Sequence, residues 1–300
     1  MKLTIERREL AAALSAVAHA ATTKATLPVL GMVRLSCDGK LLHLTCTDLD
    51  VSLETAVACK ASKPGVACVP AKLLTAIVKE LPDADAVLAL SGGKLSIQSG
   101  AVSFDLLALD AAEFPNVPEA GDGGALMDSA ALLSALKCVA CAQSDDDSRY
   151  VLNAVRMEPN RGALAVLATD GRRLAVCEIA VDSQLAATIP TKAVTELVRM
   201  LSGAAEVRLS ANGSMVRAVC GQTTLTCKLI DGTYPNWKQV VPKSHARTAT
   251  INRAELLDAI DRAGLISKDG VAPATLSFTR GEPTIRPSMA DVPEPTEAIR

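Results

Sequence analysis

Two short stretches concentrate the residues with which this chain has the means to do chemistry. They are Thr47-Asp48-Leu49-Asp50 and Leu167-Ala168-Thr169-Asp170-Gly171-Arg172-Arg173-Leu174-Ala175-Val176. Clustered carboxylates hold divalent cations or relay protons, and arginines grip phosphates or peptide carbonyls. Asp48, Asp50 and Asp170 do not make such a cluster, because Asp48 and Asp170 are equivalents in separate copies of a repeat and are read as turn residues far apart. No His-rich, phosphate-loop or nucleophile motif accompanies them, so no catalytic residue is assigned and an enzyme is not expected. Cys138-Val139-Ala140-Cys141 has CxxC spacing but lies in a helical pattern with no second pair and no nearby His, so neither a metal nor any other cofactor is expected.

The Asp170-Gly171 pair lies between alternating Leu, Ala and Val, which is the pattern of a hairpin whose Gly takes the positive φ that the turn needs. The residues that position it come from an Ala-, Val- and Leu-rich chain of 300 residues, 49% hydrophobic, with one Trp, two Tyr and three Phe. Such a composition favours several thin, similar layers over one large aromatic core. The nine cysteines are odd in number, scattered and mostly in strand-like or helical runs, which reads as buried free thiols. No unbroken apolar run is long enough to span a membrane and the start has no signal-peptide pattern, so a cytoplasmic protein without membrane contact is expected. A net charge of −2 argues against nucleic-acid binding through overall basicity and leaves room for one locally basic face.

A strand followed by an amphipathic helix recurs five times. Its copies start at Ile5, Cys68, Met127, Ile189 and Ile251, with spacings of 63, 59, 62 and 62 residues. Pro70 and Pro190 fit the first helical turn, Pro82 and Gly203 close those helices, and Asn252 with Glu255 has capping-box spacing. About three alternating strands follow each helix, with turns at Asp38-Gly39-Lys40 and Gly92-Gly93. Units pair into a longer repeat. Pro70-Ala71-Lys72 matches Pro190-Thr191-Lys192 and Phe114-Pro115-Asn116 matches Tyr234-Pro235-Asn236, each 120 residues on, while Thr47-Asp48 matches Thr169-Asp170 after 122. The reading is an α+β chain of two-helix modules over 1–120 and 121–243. Residues 244–300 supply the first half of a third, in which a helix and a hairpin turning at Arg280-Gly281-Glu282 precede Pro287, Pro293 and Pro295, which are expected to interrupt any further strand.

Taken in order, this repeat with Thr26-Leu27-Pro28-Val29-Leu30-Gly31, Phe114-Pro115-Asn116, Ala168-Thr169-Asp170-Gly171-Arg172-Arg173-Leu174-Ala175-Val176 and Asp231-Gly232-Thr233-Tyr234-Pro235-Asn236 resembles the bacterial DNA polymerase III β sliding clamps from Met1 to about Ile285. The resemblance implies the DNA-clamp fold, with inner helices and outer antiparallel sheets, and a non-catalytic processivity factor that encircles duplex DNA as a head-to-tail ring, normally a homodimer. A ring holds DNA by topology, so weak and sequence-independent phosphate contacts suffice.

The family's DNA contacts carry over to Lys24, Arg149 and Tyr150, with Val151 replacing the next aromatic and Asp145-Asp146-Asp147 adding charge that repels phosphate. Lys72, Lys79, Lys137, Lys192 and Arg199 lie on the repeated helices, where they either face the DNA or form a merely solvated face. A hydrophobic groove that receives short peptide motifs from DNA polymerases and the clamp loader carries over to Leu152, Thr169, Gly171, Arg172, Arg173, Leu174, Val241 and Pro242, with Arg172 in place of a frequent His. In the family its other wall comes from the end of the third module, which is missing here. The subunit contact carries over to Phe104 and Leu106 on one side and Leu265 and Ile266 on the other, although Phe104 and Leu106 read equally well as core. A dimer would supply ten units where the family ring has twelve. The competing reading is therefore a shortened clamp paralogue that binds clamp partners without encircling DNA.

Overall fold

The computed structural model describes residues 1–22, 27–117, 123–265, 274–278, 283–287 and 297–298. Two compact units emerge, Met1–Pro235 and Asn236–Arg300. Lys24, Ile266 and the expected turn at Arg280-Gly281-Glu282 lie outside the described residues.

The first unit opens with β1 (Lys2–Glu6), α1 (Arg7–Val17), β2 (Met32–Cys37), β3 (Leu41–Thr47), β4 (Val51–Ala58) and β5 (Lys60–Lys63). It continues with β6 (Gly65–Pro70), α2 (Ala71–Glu80), β7 (Asp85–Ser91), β8 (Lys94–Ser99) and β9 (Val102–Leu107). The second pair of units repeats this order as β10 (Ala125–Asp128), α3 (Ser129–Ala140), β11 (Ala154–Asn160), β12 (Ala163–Thr169) and β13 (Leu174–Ile179), then β14 (Ala187–Pro190), α4 (Thr191–Leu201), β15 (Glu206–Asn212), β16 (Met215–Cys220) and β17 (Thr223–Lys228). The strand β5, paired to β1, is an addition to the three strands that the repeat predicts. The helices begin one residue later than expected. Pro70 and Pro190 end their strands at the N-cap position, where an extended backbone and a missing N–H are both tolerated, and the helices start at Ala71 and Thr191.

Sequence order does not predict which strands pair. The leading strand of each unit crosses to the other unit of its module, so β1 pairs with β7 and β6 pairs with β2. The second module does the same, with β10 on β15 and β14 on β11. The resulting sheets run β5-β1-β7-β8-β9, β13-β12-β11-β14 and, through antiparallel pairing of β17 with β4, an eight-stranded β10-β15-β16-β17-β4-β3-β2-β6 that spans both modules. One hydrophobic cluster follows the same path, from Leu3, Leu10 and Leu14 through Leu53 and Leu225 to Leu132, Leu197 and Leu209. It consists of aliphatic and small side chains, as the composition requires. Helix α1 packs on α2 and α3 on α4, and the apolar face of each helix covers a sheet.

The nine cysteines are all free thiols. Burial pushes the Cys46 and Cys227 thiols up to about 12. Cys138 and Cys141 are exposed near the end of α3.

In the second unit, Asn252 caps α5 (Arg253–Gly264) by accepting hydrogen bonds from the Ala254 and Glu255 N–H groups at its Oδ1. Strands β18 (Ala274–Phe278), β19 (Pro283–Pro287) and β20 (Glu297–Ala298) form one antiparallel sheet, with Ile285 buried against Ala259 and Ala263. Strand β20 corrects the expectation that the prolines end strand formation. Pro287 occupies the last position of β19, where losing one ladder donor is tolerated, and a short third strand still pairs.

Candidate nucleic-acid and peptide surfaces

The helical cations separate into two groups by what holds them. Lys72 and Lys79 are seven residues apart on α2, so they share one face, and both line a cleft of about 450 Å³ with Ser15, His19, Thr75 and Ala76. A second cleft of about 560 Å³ lies between α1 and α4 and includes Ser15, His19, Glu196, Arg199 and Met200. The two clefts share Ser15 and His19, so a single line of basic side chains runs from Lys79 through Lys72 and His19 to Arg199 across both modules. His19 carries no motif in sequence. Only its place in the short helical turn after α1 brings it between the lysines and Arg199.

Two of the helical cations, Lys192 and Arg199, are engaged in ion pairs. Lys192, the second residue of α4, forms an ion pair with Asp48 of the first module's turn; the lysine is 55% exposed while the Asp48 side chain is 6% exposed. Arg199 pairs with Glu196 one turn earlier. Lys137 is exposed in the last turn of α3.

Arg149 is engaged at the second module's turn. Its guanidinium lies 3.9 Å from Asp146 and 3.5 Å from the Asp170 carbonyl oxygen, against the second module's turn. The acidic loop is thus neutralised in part from within. Asp146 caps the following helical turn through the Ser148 hydroxyl and N–H, and these bonds hold its carboxyl below its ordinary value. Tyr150 is exposed beside this turn.

The two hairpin turns are built identically. Thr47 Oγ1 accepts from the Leu49 N–H and donates to the Val51 carbonyl, while Asp48 Oδ1 accepts from the Asp50 and Val51 N–H groups. In the second module Thr169 Oγ1 accepts from the Gly171 N–H and donates to the Arg173 carbonyl, and Asp170 Oδ1 accepts from Arg172 and Arg173 N–H. The third residue is left-handed in both, with φ of 81° at Leu49 and 84° at Gly171. The N–H donors from Arg173 and Arg172, with the Arg173 guanidinium 3.0 Å from Oδ2, hold the Asp170 carboxyl below its ordinary value.

What differs is the surroundings. Leu152 and Leu174 are half-buried, Arg172 and Arg173 are exposed, and the Thr169 N–H donates to the Tyr234 hydroxyl at 3.1 Å. Burial pushes the Tyr234 phenol up to about 12, so it stays protonated while it braces the turn. Its counterpart Phe114 has no hydroxyl and instead packs among Val29, Leu30 and Cys68. The aromatic-Pro-Asn motif was visible in sequence, but not the brace. Val241 and Pro242 are exposed in the second unit, outside regular structure. Of the residues assigned to a subunit contact, Leu265 is exposed and Phe104 is 43% exposed on β9, whereas Leu106 is buried in the first unit's core. Of the two alternatives open for these residues, Leu106 takes the core position and Phe104 the exposed one. Leu107, 74% exposed, is the more open apolar side chain of that strand.

Comparison with known proteins places this arrangement. Residues 1–118 match the family described as DNA polymerase III beta subunit, N-terminal domain, and residues 127–236 match its central domain. The beta sliding clamp of Pseudomonas aeruginosa is 33% identical over 310 residues, a span that takes in 100% of this chain and 84% of the relative. That of Escherichia coli K12 is 31% identical over 305 residues, 99% of this chain and 82% of the relative. The solved Caulobacter crescentus beta sliding clamp superposes with a TM-score of 0.95 at 31% identity, covering 100% of this chain and 83% of that one. A sliding clamp from Bartonella birtlesii bound to griselimycin gives 0.93 at 29% identity, with 100% and 83% covered. The chain belongs to the DNA polymerase III beta subunit family. Its function is that of a DNA sliding clamp in replication.

Proposed function

We propose that the chain works as a head-to-tail ring around duplex DNA, without catalytic residues of its own, and tethers replication proteins through short peptides. The observation that carries the DNA reading is the basic line of Lys79, Lys72, His19 and Arg199 crossing two modules on separate helices. Cations spread in this way over separate helices meet phosphates without reading bases, so they permit sliding. Lys24, Lys137, Arg149, Tyr150 and Lys192 complete the proposed contact set, with Lys192 exchanging Asp48 for phosphate. The peptide surface is proposed on the first unit at Leu152, Thr169, Gly171, Arg172, Arg173 and Leu174, where half-buried leucines offer apolar anchors and the arginines offer backbone hydrogen bonds. On the second unit, Val241 and Pro242 are proposed for the same role. The subunit contact is proposed at Phe104 and the β9 strand on one side and Leu265 and Ile266 on the other.

The test is topological. Loaded on nicked circular duplex DNA, the protein is expected to stay bound through gel filtration and to be lost when the circle is cut. Equal loss from circular and linear DNA would overturn the ring. A monomer by light scattering at micromolar concentration would do the same.

A further inference from the structure

A buried free thiol packs as a small apolar side chain and needs no second thiol beside it. One pair in the first module departs from that pattern. The Cys37 and Cys59 sulfurs lie 3.6 Å apart, although 22 residues separate them in sequence. Cys37 is the last residue of β2, opposite Leu42 of β3 and Gly65 of β6. Cys59 is the single residue between β4 and β5, at the corner where the chain leaves the eight-stranded sheet for the five-stranded one. Its N–H donates to the Lys40 carbonyl at 2.8 Å and the Ala61 N–H donates to the Gly39 carbonyl at 3.3 Å, so the corner is pinned to the turn that follows Cys37. The two thiols differ in access, Cys37 being buried and Cys59 half-buried. We propose that Cys59 is a site of thiol–disulfide exchange with a small disulfide such as oxidised glutathione, and that Cys37 is its resolving thiol. The inference is independent of the ring reading.

The exchange takes two displacements. Cys59 loses its proton to solvent, its thiolate attacks one sulfur of the small disulfide, and the other half leaves as a thiolate that water protonates. Cys37 then loses its proton and attacks the Cys59 sulfur of the mixed disulfide, and the second half leaves in the same way. Two protein thiols are thereby oxidised to one disulfide, and the small disulfide is reduced to two thiols. The sulfurs must close from 3.6 Å to about 2.05 Å, and Cys59, which belongs to neither strand, is the residue free to move. The product ties the end of β2 to the corner before β5, a covalent link between the two sheets of the first module. Burial, and next to it the Cys37 thiol, push the Cys59 thiol up to about 12. Near neutrality little of it is thiolate, so the first displacement is slow and the link records sustained oxidation, not a brief pulse.

The test uses the full-length chain. Cys138 and Cys141 are exposed and Cys177 lies beside Cys138, so Cys138→Ser, Cys141→Ser and Cys177→Ser together leave Cys59 as the one cysteine that is not buried. Incubated with oxidised glutathione at about pH 8.5, this parent is expected to lose the mass of two hydrogens, to retain no glutathione and to yield a Cys37–Cys59 disulfide on peptide mapping, all reversed by dithiothreitol. Its urea midpoint should rise by roughly 0.5–1 M on oxidation. Adding Cys37→Ser should stop the reaction at one glutathione on Cys59, and adding Cys59→Ser should abolish it. The rate of the first displacement should rise about tenfold per pH unit between about pH 7 and 9. The unsubstituted chain should give the same Cys37–Cys59 peptide, which keeps the test valid if the triple variant folds poorly. A mixed disulfide that persists on Cys59 while Cys37 is intact, no reaction at alkaline pH, or linkage of Cys59 to another cysteine would each overturn the proposal and leave the ring reading untouched.

Discussion

At the scale of single residues, the left-handed position of the two turns is the sharpest comparison the chain offers with itself. A side chain there costs roughly 1–2 kcal/mol, against roughly 0.5–1 kcal/mol for the extra freedom glycine gives up on folding. Leu49 is 44% exposed and loses little packing, so Leu49→Gly is expected to stabilise the protein by about 0.5–1 kcal/mol in urea unfolding. The opposite change, Gly171→Ala, brings a Cβ to 3.1 Å from Arg149 Nη1 at φ 84° and is expected to cost about 1–2 kcal/mol. Asp170 makes a prediction in pH. Its carboxyl is held below the ordinary value of 3.8, so its contribution is present above that value and is lost as pH falls through the lower folded one. Amide-exchange protection at Arg172 and Arg173 should therefore stay level down to about that pH and fall only below it. Thr169-Asp170-Gly171 was legible as a turn because its residue types state their geometry. Leu49 as the equivalent of Gly171 was not, since nothing about a leucine announces positive φ.

Among elements, the five α-helices of the described residues and the turns at Asp38-Gly39-Lys40, Gly92-Gly93 and Asp170-Gly171 were legible, because periodicity and turn chemistry are local. The exchange of leading strands between units was not, because β1 reads the same whether it pairs with β2 or β7. That exchange, with the β17–β4 pairing, brings Lys192 to Asp48 and gives a lysine proposed to meet phosphate a second role as a brace between modules. The lysine is half-exposed, so screening limits the pair to about 1 kcal/mol. Lys192→Met is expected to lower stability by about that much at low salt. In 1 M salt its difference from the parent should largely vanish, whereas a loss due to packing would persist. His19 belongs to the same lesson, since a lone histidine after a helix acquires its neighbours only from the packing of α1 against α2 and α4.

For the whole molecule, the basic line predicts a graded response rather than an abolished one. Each phosphate contact removed lowers the slope of log affinity against log salt by about 1. Lys72→Ala and Lys79→Ala should each do this on duplex DNA, uniformly across sequences, while a sequence-dependent loss would speak against backbone contacts. The two family modules were legible as repeats, yet the structure does not cut between them, since one core and one eight-stranded sheet run through both. Hydrogen exchange should accordingly give β4 and β17 the same opening free energy, as members of one cooperative block. The same continuity governs how the protein can be dissected. A fragment ending near residue 117 would expose the edge of β4 over Val51–Thr55, which β17 covers in the intact chain and where Val51 and Leu53 are buried. Such an apolar edge seeds self-association, so the first module taken alone is an aggregation hazard, and Pro235 rather than residue 117 is the natural place to cut.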